Sequence, residues 1–144
     1  MKLQIEVEVR YTEDQEKVLR AIRNLFDLEK YELVEEGRYP RIIAYSTHVS
    51  SLKRFRERLW MQRILDTARS IMMRGVEGSR IEFMLHKQAA YANKVSFVES
   101  DKESSLGAVR VVIETEKPME LIDWLAPKTS EGRPLWIKEM PENL

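Results

Sequence analysis

Arginine is the residue type in this chain whose spacing invites chemistry. Arg54, Arg56, Arg58, Arg63 and Arg69 fall in one short stretch, and Lys87, Gln88 and Lys94 follow it. A guanidinium presents a planar fork of donors that suits phosphate, and its face stacks on unpaired bases. The amide of Gln88 is suited to base edges rather than to phosphate. The run His86-Lys87-Gln88-Ala89-Ala90, with Asn93 and Lys94 behind it, directly follows an alternating segment, so these donors gather at the end of a strand. Such a set is expected to bind a polyanion without covalent chemistry; for the 86–94 stretch the other reading is a polar loop that satisfies backbone groups.

Other chemistries lack their residues. The chain has no cysteine, which removes thiol catalysis, disulfides and thiolate metal sites together and suits a reducing cytoplasm. Gly37, Gly75, Gly78, Gly107 and Gly132 give neither a dinucleotide nor a nucleoside-triphosphate loop spacing. Glu82 and His86 stand four apart without a second histidine, so no metal site is expected. A serine nucleophile would need His48 or His86 as base and an orienting carboxylate, and no pattern supplies them. Glu13 and Asp14 follow Thr12 and read as helix capping rather than an acid/base pair. No cofactor and no catalytic residue are expected.

The charge pattern points the same way. Residues 1–36 carry six basic and ten acidic side chains, residues 37–96 twelve and four, and residues 97–144 six and ten. A net-neutral chain thus hides a strongly basic middle third, which fits one surface that meets nucleic acid. The opposing reading is that these cations fold back onto the acidic thirds. At 144 residues with 43% hydrophobic and 33% charged side chains, one α+β domain spanning 1–144 is the simplest organisation. Abundant charge of both signs without cysteine also fits a thermophile. No apolar run is long enough for a membrane span, and Met-Lys-Leu-Gln-Ile-Glu is no signal-peptide start.

Certain elements must position these residues. Leu3, Ile5, Val7, Val9 and Tyr11 alternate with polar residues, the mark of a half-buried strand. Thr12 and Gln15 have capping-box spacing, opening a helix with Val18, Leu19, Ile22, Leu25 and Phe26 on one side. A hairpin is expected from 31–35 to 41–47, turning at Gly37–Pro40. One long helix is expected over 52–74, capped by Ser50 or Ser51 and stopped by Gly75. Its seam is Trp60, Met61, Ile64, Leu65, Ala68, Ile71 and Met72. Leu52, Phe55, Leu59 and Met73 fall nearly opposite, a strip expected to be covered by the chain itself or by a homodimer partner. Strands follow over 80–85, 95–98 and 106–114, with 86–93 either a short helix or a loop. Pro118 starts a short helix ending near Leu125, where Trp124 reads as a core anchor, and a loop-like tail runs from about 128. The order gives an α+β two-layer sandwich, a largely antiparallel sheet with helices on one face.

Several motifs recur here in a set order: Tyr11-Thr12-Glu13-Asp14, Ile64-Leu65-Asp66-Thr67-Ala68-Arg69, Lys87-Gln88-Ala89-Ala90 with Val95-Ser96-Phe97, Leu106-Gly107, and Asp123-Trp124-Leu125-Ala126-Pro127. Over nearly the full chain they resemble an archaeal protein family of unassigned activity, often labelled RNA-binding or exosome-subunit-like. The resemblance implies a fold similar to the ribosomal protein that binds five-S RNA, and an archaeal, cytoplasmic protein. The family pattern has Asn where this chain has His86. The expectation is a non-enzymatic RNA-binding protein using Arg54, Arg56, Arg58, Arg63, Arg69, Lys87, Gln88 and Lys94. The alternative is an assembly module, a homodimer through Leu52, Phe55, Leu59 and Met73 with no nucleic-acid ligand.

Overall fold

Strict alternation in the first strand requires one buried and one wet face, and the computed structural model, which describes Met1–Leu144, has that arrangement. Strand β1 (Lys2–Glu8) lies mid-sheet, antiparallel to β3 (Arg41–Ser46) on one side and β7 (Ala108–Glu114) on the other. β2 (Lys30–Val34) closes the hairpin with β3. β5 (Arg80–His86) pairs with β7 and carries two short strands, β4 (Val76–Glu77) and β6 (Phe97–Val98). The order is β2-β3-β1-β7-β5-β4, all neighbours antiparallel. Leu3, Ile5, Val7, Ile42, Ala44, Ile81, Phe83, Leu85, Val111 and Ile113 form the buried face.

Helices cover that face: α1 (Gln15–Leu25), α2 (Lys53–Met61), α3 (Leu65–Arg74), α4 (Lys87–Tyr91) and α5 (Pro118–Leu125). The two-layer α+β sandwich expected from the element order is therefore observed. The cap of α1 is Asp14, whose carboxylate accepts from the Glu16 N–H, and not Thr12. The segment left open at 86–93 contains α4.

The long helix expected over 52–74 is two helices. Gln62 ends α2, Arg63 takes the left-handed conformation (φ 56°), and the N–H groups of Arg63 and Ile64 return to the carbonyls of Trp60 and Leu59. This is a Schellman turn with arginine where glycine is usual. The Gln62 amide also clamps Val95, donating to its carbonyl and accepting from its N–H, each at 2.8 Å.

The break corrects the apolar assignment. At about 100° per residue, Leu52, Phe55 and Leu59 would point away from Leu65, Ala68 and Met72 in one continuous helix. With the turn, both sets face the sheet. Leu52, Phe55 and Leu59 are fully buried within this chain, Phe55 stacking between Phe26 and Phe83. They offer nothing to a second subunit, and only Met73 of the proposed dimer strip is exposed. Trp60, Ile64 and Ile71 of the expected seam are half-buried, and Met61 is exposed. Gly75 ends α3 where a Cβ would stand 2.0 Å from the Glu82 carbonyl oxygen, so close approach requires glycine there. Beyond α5, β8 (Thr129–Ser130) and β9 (Arg133–Pro134) form a small hairpin. No helix is long and apolar enough to cross a membrane.

Candidate nucleic-acid interface

The eight residues expected to bind RNA do not form one surface. Three of them hold the chain together. Lys87 is completely buried, and its ammonium donates to the carbonyls of Glu8 (2.7 Å) and Leu106 and to the Glu13 carboxylate (2.8 Å). Burial pushes its pKa down, opposed by the bond to Glu13. All three of its donors are used, so it cannot meet a phosphate. Glu13, whose other oxygen accepts from the Tyr91 hydroxyl, is thereby the centre of a polar network rather than a helix-dipole carboxylate. That network holds the Tyr91 hydroxyl's pKa above its ordinary value, through burial first and the bond to Glu13 second.

Arg69 and Arg56 tie the helices to the C-terminal region. Arg69 pairs with Asp123 at 2.9 Å and donates to the Ala126 carbonyl at 3.0 Å. Arg56 donates through Nε to the Trp124 carbonyl at 2.8 Å and lies over the rings of Trp60 and Trp124. Burial lowers the pKa of Arg56, opposed by the nearby Glu57 carboxylate. Trp124 is core, as its helical context implied. Lys87 is excluded from the binding set by its burial, a correction of the expectation, while Arg56 and Arg69 are half-buried and each bonds a backbone carbonyl of the C-terminal region.

The other residues divide between two places. Arg54 and Arg58, one turn apart on α2, point toward α1 and the end of α4. Arg54 donates to the Arg23 carbonyl at 3.0 Å and lies 3.5 Å from the Asp27 carboxylate, while Arg58 donates to the Asn93 side-chain oxygen at 3.2 Å. Asn24 of α1 donates to the Ala90 carbonyl at 2.9 Å. These bonds stitch the outer surfaces of α1, α2 and the α4 end together, and Lys94 is exposed beside Asn93. Gln88 is exposed and donates to the Ser105 hydroxyl at 3.2 Å. Arg63 stands apart, exposed on the α2–α3 turn.

The same surface holds cations that the sequence reading passed over. Lys17, Arg20 and Arg23 are exposed on α1. They belong to a net acidic third, so the charge count hid them. The helical pattern held the signal, because placing Val18, Leu19 and Ile22 inward turns Arg20 and its flanks outward. Lys17, Arg20 and Lys94 make no ion pair, and Asp14, Glu16, Asp27 and Glu57 are exposed carboxylates on α1, α2 and their ends. Such an arrangement attracts a polyanion and offers donors at several points along it.

Comparison with known proteins accords with this chemistry. A family model described as RNA binding matches residues 2–115. A UPF0201 protein of Saccharolobus solfataricus is 46% identical over 144 residues, covering 100% of this chain and 99% of its own length. One from Sulfurisphaera tokodaii is 48% identical over 142 residues, covering 99% of this chain and 98% of its own. The crystal structure of a UPF0201 protein from Methanococcus jannaschii has a TM-score of 0.78 at 30% identity, covering 94% of this chain and 99% of its own. A DUF54 protein from Methanothermobacter thermautotrophicus, 21% identical over 85% of this chain and 92% of its own, shares the fold with a TM-score of 0.62. The chain belongs to the UPF0201 family, whose relatives here are archaeal.

Proposed function

We propose that this UPF0201 protein is a non-catalytic, cytoplasmic RNA-binding protein that grips the phosphate backbone with the outer face of its helical layer. The contacts would come from Lys17, Arg20 and Arg23 of α1, Arg54 and Arg58 of α2, and Lys94. One observation carries the reading: Arg54 and Arg58 of α2 bond α1 and the end of α4, elements that carry the exposed cations Lys17, Arg20 and Arg23 and are followed by exposed Lys94. The family model described as RNA binding supports it and spans every one of these residues. Gln88, at the border of this face, would contact base edges rather than phosphates.

The burial of Leu52, Phe55 and Leu59 takes away the support for the assembly reading. Ultraviolet cross-linking of the full-length protein to its cellular RNA, followed by peptide identification, tests the proposal. Adducts are expected in peptides from α1, α2 and the 88–94 segment. Adducts confined to the exposed face of the sheet, or none, would overturn it.

A further inference from the structure

A second place on the molecule has the chemistry of a nucleotide site. Between the α2–α3 turn and the β8–β9 hairpin lies a cleft of about 530 Å³, the size range of small-molecule sites. Trp60 forms part of its wall. The indole is fixed, because its N–H donates to the Leu125 carbonyl at 3.1 Å and the Arg56 guanidinium lies 4.4 Å from its ring centre. Arg63 reaches the cleft from the turn and Arg133 from the hairpin; both are exposed and neither makes an ion pair or a side-chain hydrogen bond. Two carboxylates share the cleft. Asp66 is occupied by the Thr129 hydroxyl at 2.6 Å, whereas Glu131 has no partner.

An aromatic wall, two unpaired guanidiniums and one free carboxylate match the parts of an unpaired nucleotide. The base would lie against the indole, a guanidinium would take the phosphate, and Glu131 would accept from an amine or imide N–H of the base. A duplex keeps its bases stacked and could not fill such a cleft. The hairpin side lies beyond residue 115, outside the family-model match, so that match does not account for the site. Arg56 and Trp60 face α5 while Arg54 and Arg58 face α1 and α4, which puts the cleft on the other flank of α2 from the basic face.

We propose that this cleft holds one unpaired nucleotide of a bound RNA strand. The proposal rests on the RNA-binding reading above and adds single-strand selectivity to it.

The test uses the full-length protein, a fluorescently labelled oligoadenylate and an RNA duplex of similar charge. Arg63→Gly combined with Arg133→Ala removes both guanidiniums while placing a residue suited to φ 56° in the turn. Strand affinity is expected to fall by about 10-fold or more, with duplex affinity changed less than about 2-fold, because only the strand loses phosphate contacts that position a stacked base. A 4-thiouridine strand should cross-link to Trp60 or to the 129–134 hairpin. If the variant binds the strand as tightly as the wild type, or if strand and duplex weaken equally, the cleft proposal fails while RNA binding stands. If the wild type binds neither RNA, both proposals fail. If free adenosine monophosphate competes as well as the strand does, the ligand is a free nucleotide and the proposal is overturned.

Discussion

The two broad faces of this molecule carry charge in contrasting ways. On the exposed face of the sheet the strand arginines Arg41, Arg80 and Arg110 all meet carboxylates of that same face. Arg41 bonds Glu6 and Arg110 reaches Glu82 at 3.0 Å from neighbouring strands, Arg80 reaches Glu82 at 3.1 Å along its own strand, and Lys2 stands opposite Glu114 in register. Diagonal neighbours on one face of a sheet are within reach of long side chains, so opposite charges cancel where they stand. The outer face of the helices has no partner layer to cancel against. Lys17, Arg20 and Lys94 face water alone, and Arg54 meets Asp27 only at 3.5 Å. A basic stretch of sequence and a basic surface are therefore different objects. The stretch contributed Lys87 to the interior and half-buried Arg56 and Arg69 to the junction with the C-terminal region, and α1 lent its cations to the surface.

If buried cations hold the fold and exposed ones hold the ligand, their substitutions must separate. The largest effect is expected at Lys87. Lys87→Met leaves the Glu13 carboxylate and two backbone carbonyls without their donor, at a cost of about 3–5 kcal/mol in urea unfolding. A loss below about 1 kcal/mol, the range of an exposed pair, would erase the distinction drawn here. Arg69→Ala should cost about 1.5–3 kcal/mol, the worth of hydrogen bonds from a charged group, and should speed proteolysis in 126–138. Unchanged cleavage would show that Arg69 does not secure that segment.

A smaller effect has the opposite sign. Arg63→Gly relieves a left-handed residue and should raise stability by up to about 1–2 kcal/mol. Any destabilisation would mean that the arginine side chain supports the turn. The smallest effect is at Glu29, whose carboxylate accepts from the Thr47 N–H at 2.8 Å and its hydroxyl at 2.9 Å, holding its pKa below the ordinary carboxylate value. Its stabilisation is present at neutral pH and is lost as pH falls through the depressed folded value. The gap between wild-type and Glu29→Gln unfolding midpoints should therefore narrow from pH 7 toward pH 3. A constant gap would contradict the assignment.

Much of the fold was legible from period alone. The alternation of Leu3–Val9 and of Val109–Ile113 placed both strands in one antiparallel sheet, since a period of two leaves one face to bury. The break at Arg63 was not legible, because the turn that makes it usually announces itself by glycine. Here it is carried by Gln62 gripping Val95, a partner far along the chain. The site was half legible for a similar reason. Arg54, Arg58 and Lys94 were marked by local charge density, but the acceptors that bury Lys87 come from Glu8, Glu13 and Leu106, which no local pattern connects to it.

The salt dependence of RNA binding tests the contrast between the faces most directly. Two double variants, Arg54→Glu with Arg58→Glu on the helical face and Arg41→Glu with Arg110→Glu on the sheet face, change the net charge equally. Each phosphate contact to single-stranded RNA contributes about −0.7 to the slope of log K against log salt. The helical-face variant is predicted to weaken binding to all sequences and to flatten that slope by about 1.4, two contacts' worth. The sheet-face variant is predicted to leave the slope unchanged. Equal flattening by both, or flattening by the sheet-face variant alone, would contradict the account.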